Sequence, residues 1–211
     1  LTNDYVIVNT NEMEFDYPKG DSNEMTKYEG AGGIELNLFN RSLFATRERD
    51  LKILISGGIN SDSKILINRN IKTRVQKVAP FIRFDEDPYA VIADGRIHYI
   101  IDGYTATNFY PYSEPFSDKS NTNYIRNSVK AVVDSYDGTI DFYISDETDP
   151  IIETYSKIFP DLFKEMSEMP EFVRSHIRYP QFLFDIQAQM YATYHMNNPD
   201  VFYNREDKWD L

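Results

Sequence analysis

Asp94-Gly95 lies between two runs of β-prone residues, Tyr89–Ala93 and 96–101. A two-residue hairpin turn of type I′ needs positive φ at both central positions, and Asp-Gly is one of the few pairs that adopt it readily. The arrangement predicts a tight antiparallel hairpin. A second pair of runs, 129–133 and 139–144, flanks a longer turn at 134–138. Tyr5–Val8 reads as a short buried strand. Strands joined by tight turns pair antiparallel, whereas a doubly wound parallel sheet needs long crossovers. The expected fold is therefore α+β: one mostly antiparallel sheet built from the N-terminal strand and the two hairpins, packed with helices, with a helical C-terminal third. A length of 211 residues, set against roughly 150 per domain, predicts a single domain over 1–211.

Between the strands the pattern changes. Residues 11–33 are polar and carry Pro18 and four glycines, which reads as a loop. The apolar residues of 36–55 fit a helical stripe imperfectly, and Gly57-Gly58 supplies a stop. Over 63–79, Ile67, Ile71, Val75 and Val78 fall within an arc of about 80° at helical spacing, which predicts one helix ending at Pro80. The alternative for its first part is a strand at 64–67. Residues 110–123 are crowded with Pro, Ser, Asn and Asp and read as a mobile loop. Asp149 then caps a helix starting at Pro150, where the missing N–H is harmless. The helix from Gln181 to Met196 carries two apolar stripes. Leu183, Ile186, Met190 and Tyr194 form one, and Phe184, Ala188, Tyr191 and His195 form the other. A helix apolar on two sides is expected to be covered on two sides, so Phe184, Tyr191 and His195 are candidates for contact with a tail or a partner.

Apolar residues make up 41% of the chain, ample for a core and too many for a disordered segment. No apolar run approaches the ~18 residues of a membrane-spanning helix. The chain carries 22 Lys and Arg against 34 Asp and Glu, a net charge of -12, which repels phosphate backbones and argues against nucleic acid as a partner. Cysteine is absent, removing disulfides, thiolate nucleophiles and Cys-bound metals. The start at Leu1 reads as an internal fragment.

Carboxylates cluster from Asp134 to Asp149, six of them with no intervening Lys or Arg. Hard cations such as Ca²⁺ take six to eight oxygen ligands, so Asp134, Asp137 and Asp141, with Asp85 and Asp87 as a second small group, are the candidate metal ligands. The EF-hand spacing is not met, and turns and helix caps select Asp for local hydrogen bonding; that is the competing reading. No cofactor other than Ca²⁺ is suggested. Paired carboxylates suited to glycoside hydrolysis arise by chance among so many acids. No Gly-x-Ser-x-Gly elbow or Walker loop is present, and no Ser-x-x-Lys precedes a helix. His98, His176 and His195 are the only histidines. Arg69, Lys72 and Lys77, on the polar side of the 63–79 segment, are the candidate lipid-facing cations; pairing with the excess acids is the alternative.

Several blocks carry a resemblance over nearly the whole chain. They include Glu14-Phe15-Asp16-Tyr17-Pro18, Arg74-Val75-Gln76-Lys77-Val78-Ala79-Pro80-Phe81 and Ile92-Ala93-Asp94-Gly95-Arg96. The most distinctive runs from Asn123-Tyr124-Ile125-Arg126-Asn127 through to Asp134; Ser167-Glu168-Met169-Pro170 and His176-Ile177-Arg178-Tyr179-Pro180 follow it. In these the chain resembles uncharacterised protein family 0182, large bacterial and archaeal multi-pass membrane proteins. The resemblance implies a parent with N-terminal transmembrane helices and a large extracytoplasmic region, of which this chain is one part, located at the cell membrane on the extracytoplasmic side. It implies as partners the rest of the same membrane protein and envelope components, and it supplies no active site. The expected function is a non-catalytic extracytoplasmic binding or assembly module. The alternatives are an envelope glycan or peptide hydrolase using paired carboxylates, and a calcium-stabilised surface domain.

Overall fold

The computed structural model describes residues 5–116 and 120–209. The chain divides into two compact units: one runs to Arg74 and includes Ser135–Thr139, and the other holds Val75–Asp134 and the chain from Ile140 onward.

The first unit begins with β1 (Tyr5–Val8), the hairpin of β2 (Glu14–Lys19) and β3 (Ser22–Thr26), and a short β4 (Ile34–Glu35). Helices α1 (Leu38–Glu48) and α2 (Lys52–Ile55) lead to β5 (Lys64–Ile67). β5 is central in a three-stranded antiparallel sheet, with β1 on one side and β4 on the other. Two expectations are corrected here. The N-terminal strand does not join the hairpins in one sheet; it pairs with β5, Tyr5 opposite Ile67 and Val8 opposite Lys64. The 63–79 segment is likewise not one helix. Its β-branched start pairs as a strand with Ile65 fully buried, Asn68 takes a left-handed φ of 53°, and α3 (Ile71–Val78) starts anew. The Asn70 side chain accepts from the Thr73 N–H at 2.9 Å, satisfying a donor that a continuous helix would have used internally. The 11–33 stretch contains a hairpin as well as loop, with Phe15 opposite Met25.

Leu36, Phe44, Ala45, Ile53, Ile59 and Ile65 form the core of this unit. The turn Ser135–Thr139 is fastened to it by hydrogen bonds. Tyr28 Oη donates to the Tyr136 carbonyl at 3.0 Å, the Ala31 N–H donates to Asp137 at 2.8 Å, and Arg74 Nε donates to the Gly138 carbonyl at 2.7 Å.

The second unit holds β6 (Arg83–Phe84), β7 (Tyr89–Ala93), β8 (Arg96–Thr107), β9 (Tyr124–Asp134) and β10 (Ile140–Ile144). α4 (Pro150–Ile158) follows, then β11 (Phe163–Glu165), a 3₁₀ turn, α5 (Glu171–Arg174), α6 (Gln181–Tyr194) and α7 (Pro199–Asn204). The sheet order is β11-β10-β9-β8, with β6 and β7 sharing the outer edge of β8. All pairings but β10–β11 are antiparallel, so the α+β class holds. Asp94 and Gly95 take φ of 51° and 73°, the type I′ signature that the dipeptide predicts.

Both faces of this sheet are covered. Strand register puts Ile100 opposite Val132 on one face, where they join Val91, Tyr143, Met169 and Val173 in a buried cluster. Ile101, Ala131 and Phe142 align on the other. There Phe142 lies 6.0 Å from Phe84 and 6.2 Å from Phe163, ring centre to ring centre, while Phe81 stacks on Phe159 of the segment after α4 at 5.0 Å. Burial of such aromatics supplies most of the driving force for closing the helices on the sheet.

Candidate functional site

A charged pair sits inside the apolar face. Val129-Lys130-Ala131-Val132-Val133 is a strand interior interrupted by one lysine, and its register partner on β8 is Asp102. The side chains are only 5% and 7% exposed and form an ion pair. Asn127 Nδ2 donates to Asp102 Oδ1 at 3.3 Å and to the Gly103 carbonyl at 3.2 Å. The desolvation cost of two such charges is offset only when each has its partner, and here each does.

Asp149 is the second buried carboxylate. It caps α4 by accepting from the Ile151 N–H at 3.1 Å, as the sequence predicts. It also accepts from Thr105 Oγ1 at 2.5 Å, Ser128 Oγ at 2.6 Å and Tyr124 Oη at 2.7 Å. Burial pushes its carboxyl upward, but the bonds from Ser128, Thr105, Tyr124 and Ile151 outweigh that and hold it below the ordinary carboxylate range. Burial first, and then the bond to Asp149, push the Tyr124 phenol up to about 12.

Beside these lies an open groove of about 620 Å³, bounded by the start of β9, the end of β10 and the segment leading into α6. Arg126 and Arg178 mark its cationic rim, Asp146 its acid, and Met166, Ile177 and Leu183 its apolar floor. Arg126 donates to Asp146 at 3.0 Å and to Thr148 Oγ1 at 2.8 Å. Bonds from the Thr148 hydroxyl and N–H, with the Arg126 guanidinium, hold Asp146 below the ordinary carboxylate range. Arg178 lies 4.7 Å over the Tyr89 ring and forms no ion pair among the described residues. Two of the blocks that carry the resemblance, 123–134 and 176–180, supply most of this lining.

Protonating a leaving oxygen requires a carboxylic acid kept neutral near pH 7. Both carboxylates with a resolved displacement here, Asp146 and Asp149, are moved the other way and are held as acceptors. The groove presents the Arg178 guanidinium, stacked over Tyr89 and in no ion pair among the described residues, beside the apolar Met166, Ile177 and Leu183.

The predicted site residues are dispersed. Asp134 pairs with Arg96 at 3.0 Å and Asp141 with Lys164 at 2.7 Å; Asp85 accepts from Tyr104 Oη at 2.9 Å. Asp137 lies in the first unit on the Ala31 N–H, and Asp87 precedes β7. Among the described residues no three His, Asp or Glu are grouped to hold a metal ion. Arg69 precedes α3 and is not on it, while Lys72 and Lys77 are helical. Of the α6 residues, Tyr191 and His195 meet Trp209, edge-on at 5.7 Å and stacked at 3.9 Å; Phe184 is exposed. At the base of the 110–123 loop, Asn123 Nδ2 donates to the Tyr110 and Ser113 carbonyls, and 117–119 lie outside the described residues. Sequence reasoning missed Lys130, Asp102 and the groove. The signal for the first was visible as a lone lysine in an apolar strand, which demands an acid opposite it.

All 211 residues match the family described as uncharacterised protein family UPF0182. The chain is 59% identical over its full length to a UPF0182 protein of Alkaliphilus metalliredigens and 56% identical over 98% of its length to one of Desulforamulus reducens. A UPF0182 protein of Clostridium botulinum is 55% identical over the full chain. The chain spans only 22–23% of the length of these relatives. No solved structure matches it. Among the described residues no helix is long and apolar enough to cross a membrane. With its whole length matched, this chain belongs to the uncharacterised protein family UPF0182.

Proposed function

We propose that the chain is a non-catalytic binding or assembly module on the extracytoplasmic side of a larger membrane protein, and that the groove beneath Arg126 and Arg178 is its recognition surface for an acidic, partly apolar protein segment. The membrane location rests on the family resemblance, and the larger parent on the small share of its relatives that the chain spans. The groove reading rests on one observation above all: Arg178 stands at an apolar-floored opening without an acid partner among the described residues, on a chain whose net charge is -12. A guanidinium held over an aromatic ring without an ion pair, amid excess carboxylates, is placed for an anion from outside.

Tyr179 is exposed at the rim and is the position for a test. A photo-crosslinking amino acid replaces Tyr179 in the full-length parent, expressed in its own cell envelope. The expected result is a discrete adduct, mapped to another segment of the parent or to one envelope protein, that is lost when Arg178→Glu is added. Absence of any discrete adduct, or one indifferent to Arg178→Glu, defeats the proposal.

A further inference from the structure

Helix α1 is apolar on both sides. Phe44 and Ala45 point into the core of the first unit. Leu38, Phe39 and Leu43 are exposed, spread from beside Ala45 round to the far side over an arc of about 140° at helical spacing that also holds Ser42 and Thr46 and ends near Arg47. No acid falls on that arc. Helix α2 repeats the pattern in one turn: Ile53 is buried, while Leu51 just before it, Leu54 and Ile55 are not. Together these six large apolar side chains are 40–79% exposed. Single exposed leucines are ordinary, but six on one helical pair mark a surface that meets something apolar.

The charges on this pair run against the rest of the chain. Between Leu38 and Ile55 four cations, Arg41, Arg47, Arg49 and Lys52, face two acids, Glu48 and Asp50. Both acids are committed: Glu48 pairs with Arg47 at 3.2 Å, and Asp50 accepts from Tyr5 Oη at 2.9 Å and from the Lys52 N–H at 2.9 Å. Arg41 is spent on the Leu36 and Ile59 carbonyls. The exposed side chains of Arg49 and Lys52 form no ion pair among the described residues. The outward surface of α1–α2 is therefore apolar residues bordered by cations that form no ion pair among the described residues, on a chain whose net charge is -12.

We propose that α1–α2 is a docking element for an anionic lipid surface. Its leucines, Phe39 and Ile55 enter the boundary between headgroups and acyl chains, and Arg49 and Lys52 meet the lipid phosphates. Lipid fits better than protein because the apolar residues protrude. Leu38, Phe39, Leu51 and Ile55 are the most exposed of the six; such knobs sink into a soft medium, whereas a protein would have to offer matched recesses. The net charge of -12 opposes approach to anionic lipid, so neither the apolar set nor the cations suffice alone. This surface differs from the α3 cations and is independent of the groove.

The test is flotation of the 211-residue chain with phosphatidylcholine vesicles, with and without phosphatidylglycerol. Binding to the anionic vesicles is expected, weakening several-fold at high salt. The pair Phe39→Ser and Ile55→Ser is expected to weaken it about tenfold or more, as is Arg49→Glu with Lys52→Glu. All four positions are exposed, and circular dichroism melts confirm that the variants fold. Arg178→Glu leaves vesicle binding unchanged, which separates this proposal from the groove reading. No binding to anionic vesicles, binding that the α1–α2 variants leave intact, or self-association of the chain abolished by the same variants would each overturn it.

Discussion

The imidazole of His195 stacks on the indole of Trp209, ring centres 3.9 Å apart and planes within 23°. The Trp209 N–H donates to the Ala192 carbonyl at 3.2 Å, so backbone and side chain together tie the segment after α7 to the end of α6. His195 Nδ1 faces the Tyr191 carbonyl at 3.1 Å, while its Nε2 is buried without a hydrogen-bond partner and lies 3.9 Å from Asp207. The contact thus gains from ring packing and loses from an orphaned nitrogen.

Trp209 is the only tryptophan, so its fluorescence reads this contact directly. His195→Ala is expected to red-shift the emission, raise acrylamide quenching and cost about 1–2 kcal/mol. His195→Phe keeps the stack and removes the orphaned nitrogen, and is expected to be neutral or stabilising. An emission spectrum unchanged by His195→Ala would show that the indole is not held there.

Lys130 and Asp102 should behave as a unit. Replacing either alone, by Lys130→Met or Asp102→Leu, leaves a buried charge unpaired and is expected to cost about 3–5 kcal/mol. The double replacement removes both charges and should restore much of that loss. Denaturant melts of the two singles and the double measure the coupling; additive losses would contradict the pairing.

Asp149 sets the acid limb of stability. Its folded carboxyl lies below the ordinary value, so its contribution is fully present above about pH 4 and is lost as pH falls through the lower folded value. Asp149→Asn should flatten that limb. Tyr124 sets the opposite limb. Its phenol, pushed up to about 12, contributes below about pH 10 and loses that contribution as pH rises toward 12. Tyr124→Phe should flatten the alkaline side and, by removing one of the bonds to Asp149, weaken the acid limb in part. Thermal melts across pH in the four combinations separate the two.

Calcium is expected to do little. Asp134, Asp141 and Asp85 each already meet a protein partner, and Asp137 lies in the other unit from them. Calorimetric titration of the chelator-treated chain should give no heat at millimolar Ca²⁺. A saturable heat would show that these carboxylates leave their partners to gather on the ion.

What was legible in the sequence was what local chemistry decides. Asp94-Gly95 dictates its turn whatever surrounds it, and Asp149-Pro150 dictates a helix start. Lys64–Ile67 was illegible because its spacing suits a helix as well as a strand, and the decision came from Tyr5–Val8, a partner far away in the chain. The hairpin of β2 and β3 was hidden for another reason: its strands are polar, carry Pro18 and bury little. The groove and the Lys130–Asp102 pair depend on strand register and on where the segment before α6 comes to lie, which no single stretch encodes. The acidic run from Asp134 to Asp149 was visible as composition, yet its members were dispatched to separate partners.

The turn Ser135–Thr139 belongs to the first unit although the strands on either side of it belong to the second. No single cut in the chain can then yield both units whole. Truncating before α3 would strip that turn of Tyr28 and Ala31 together and leave it only Arg74, and the remainder would carry a loop shaped for contacts it no longer had. A stretch of chain that keeps both units intact must therefore carry the first unit's segment, the turn and the strands on either side of it together.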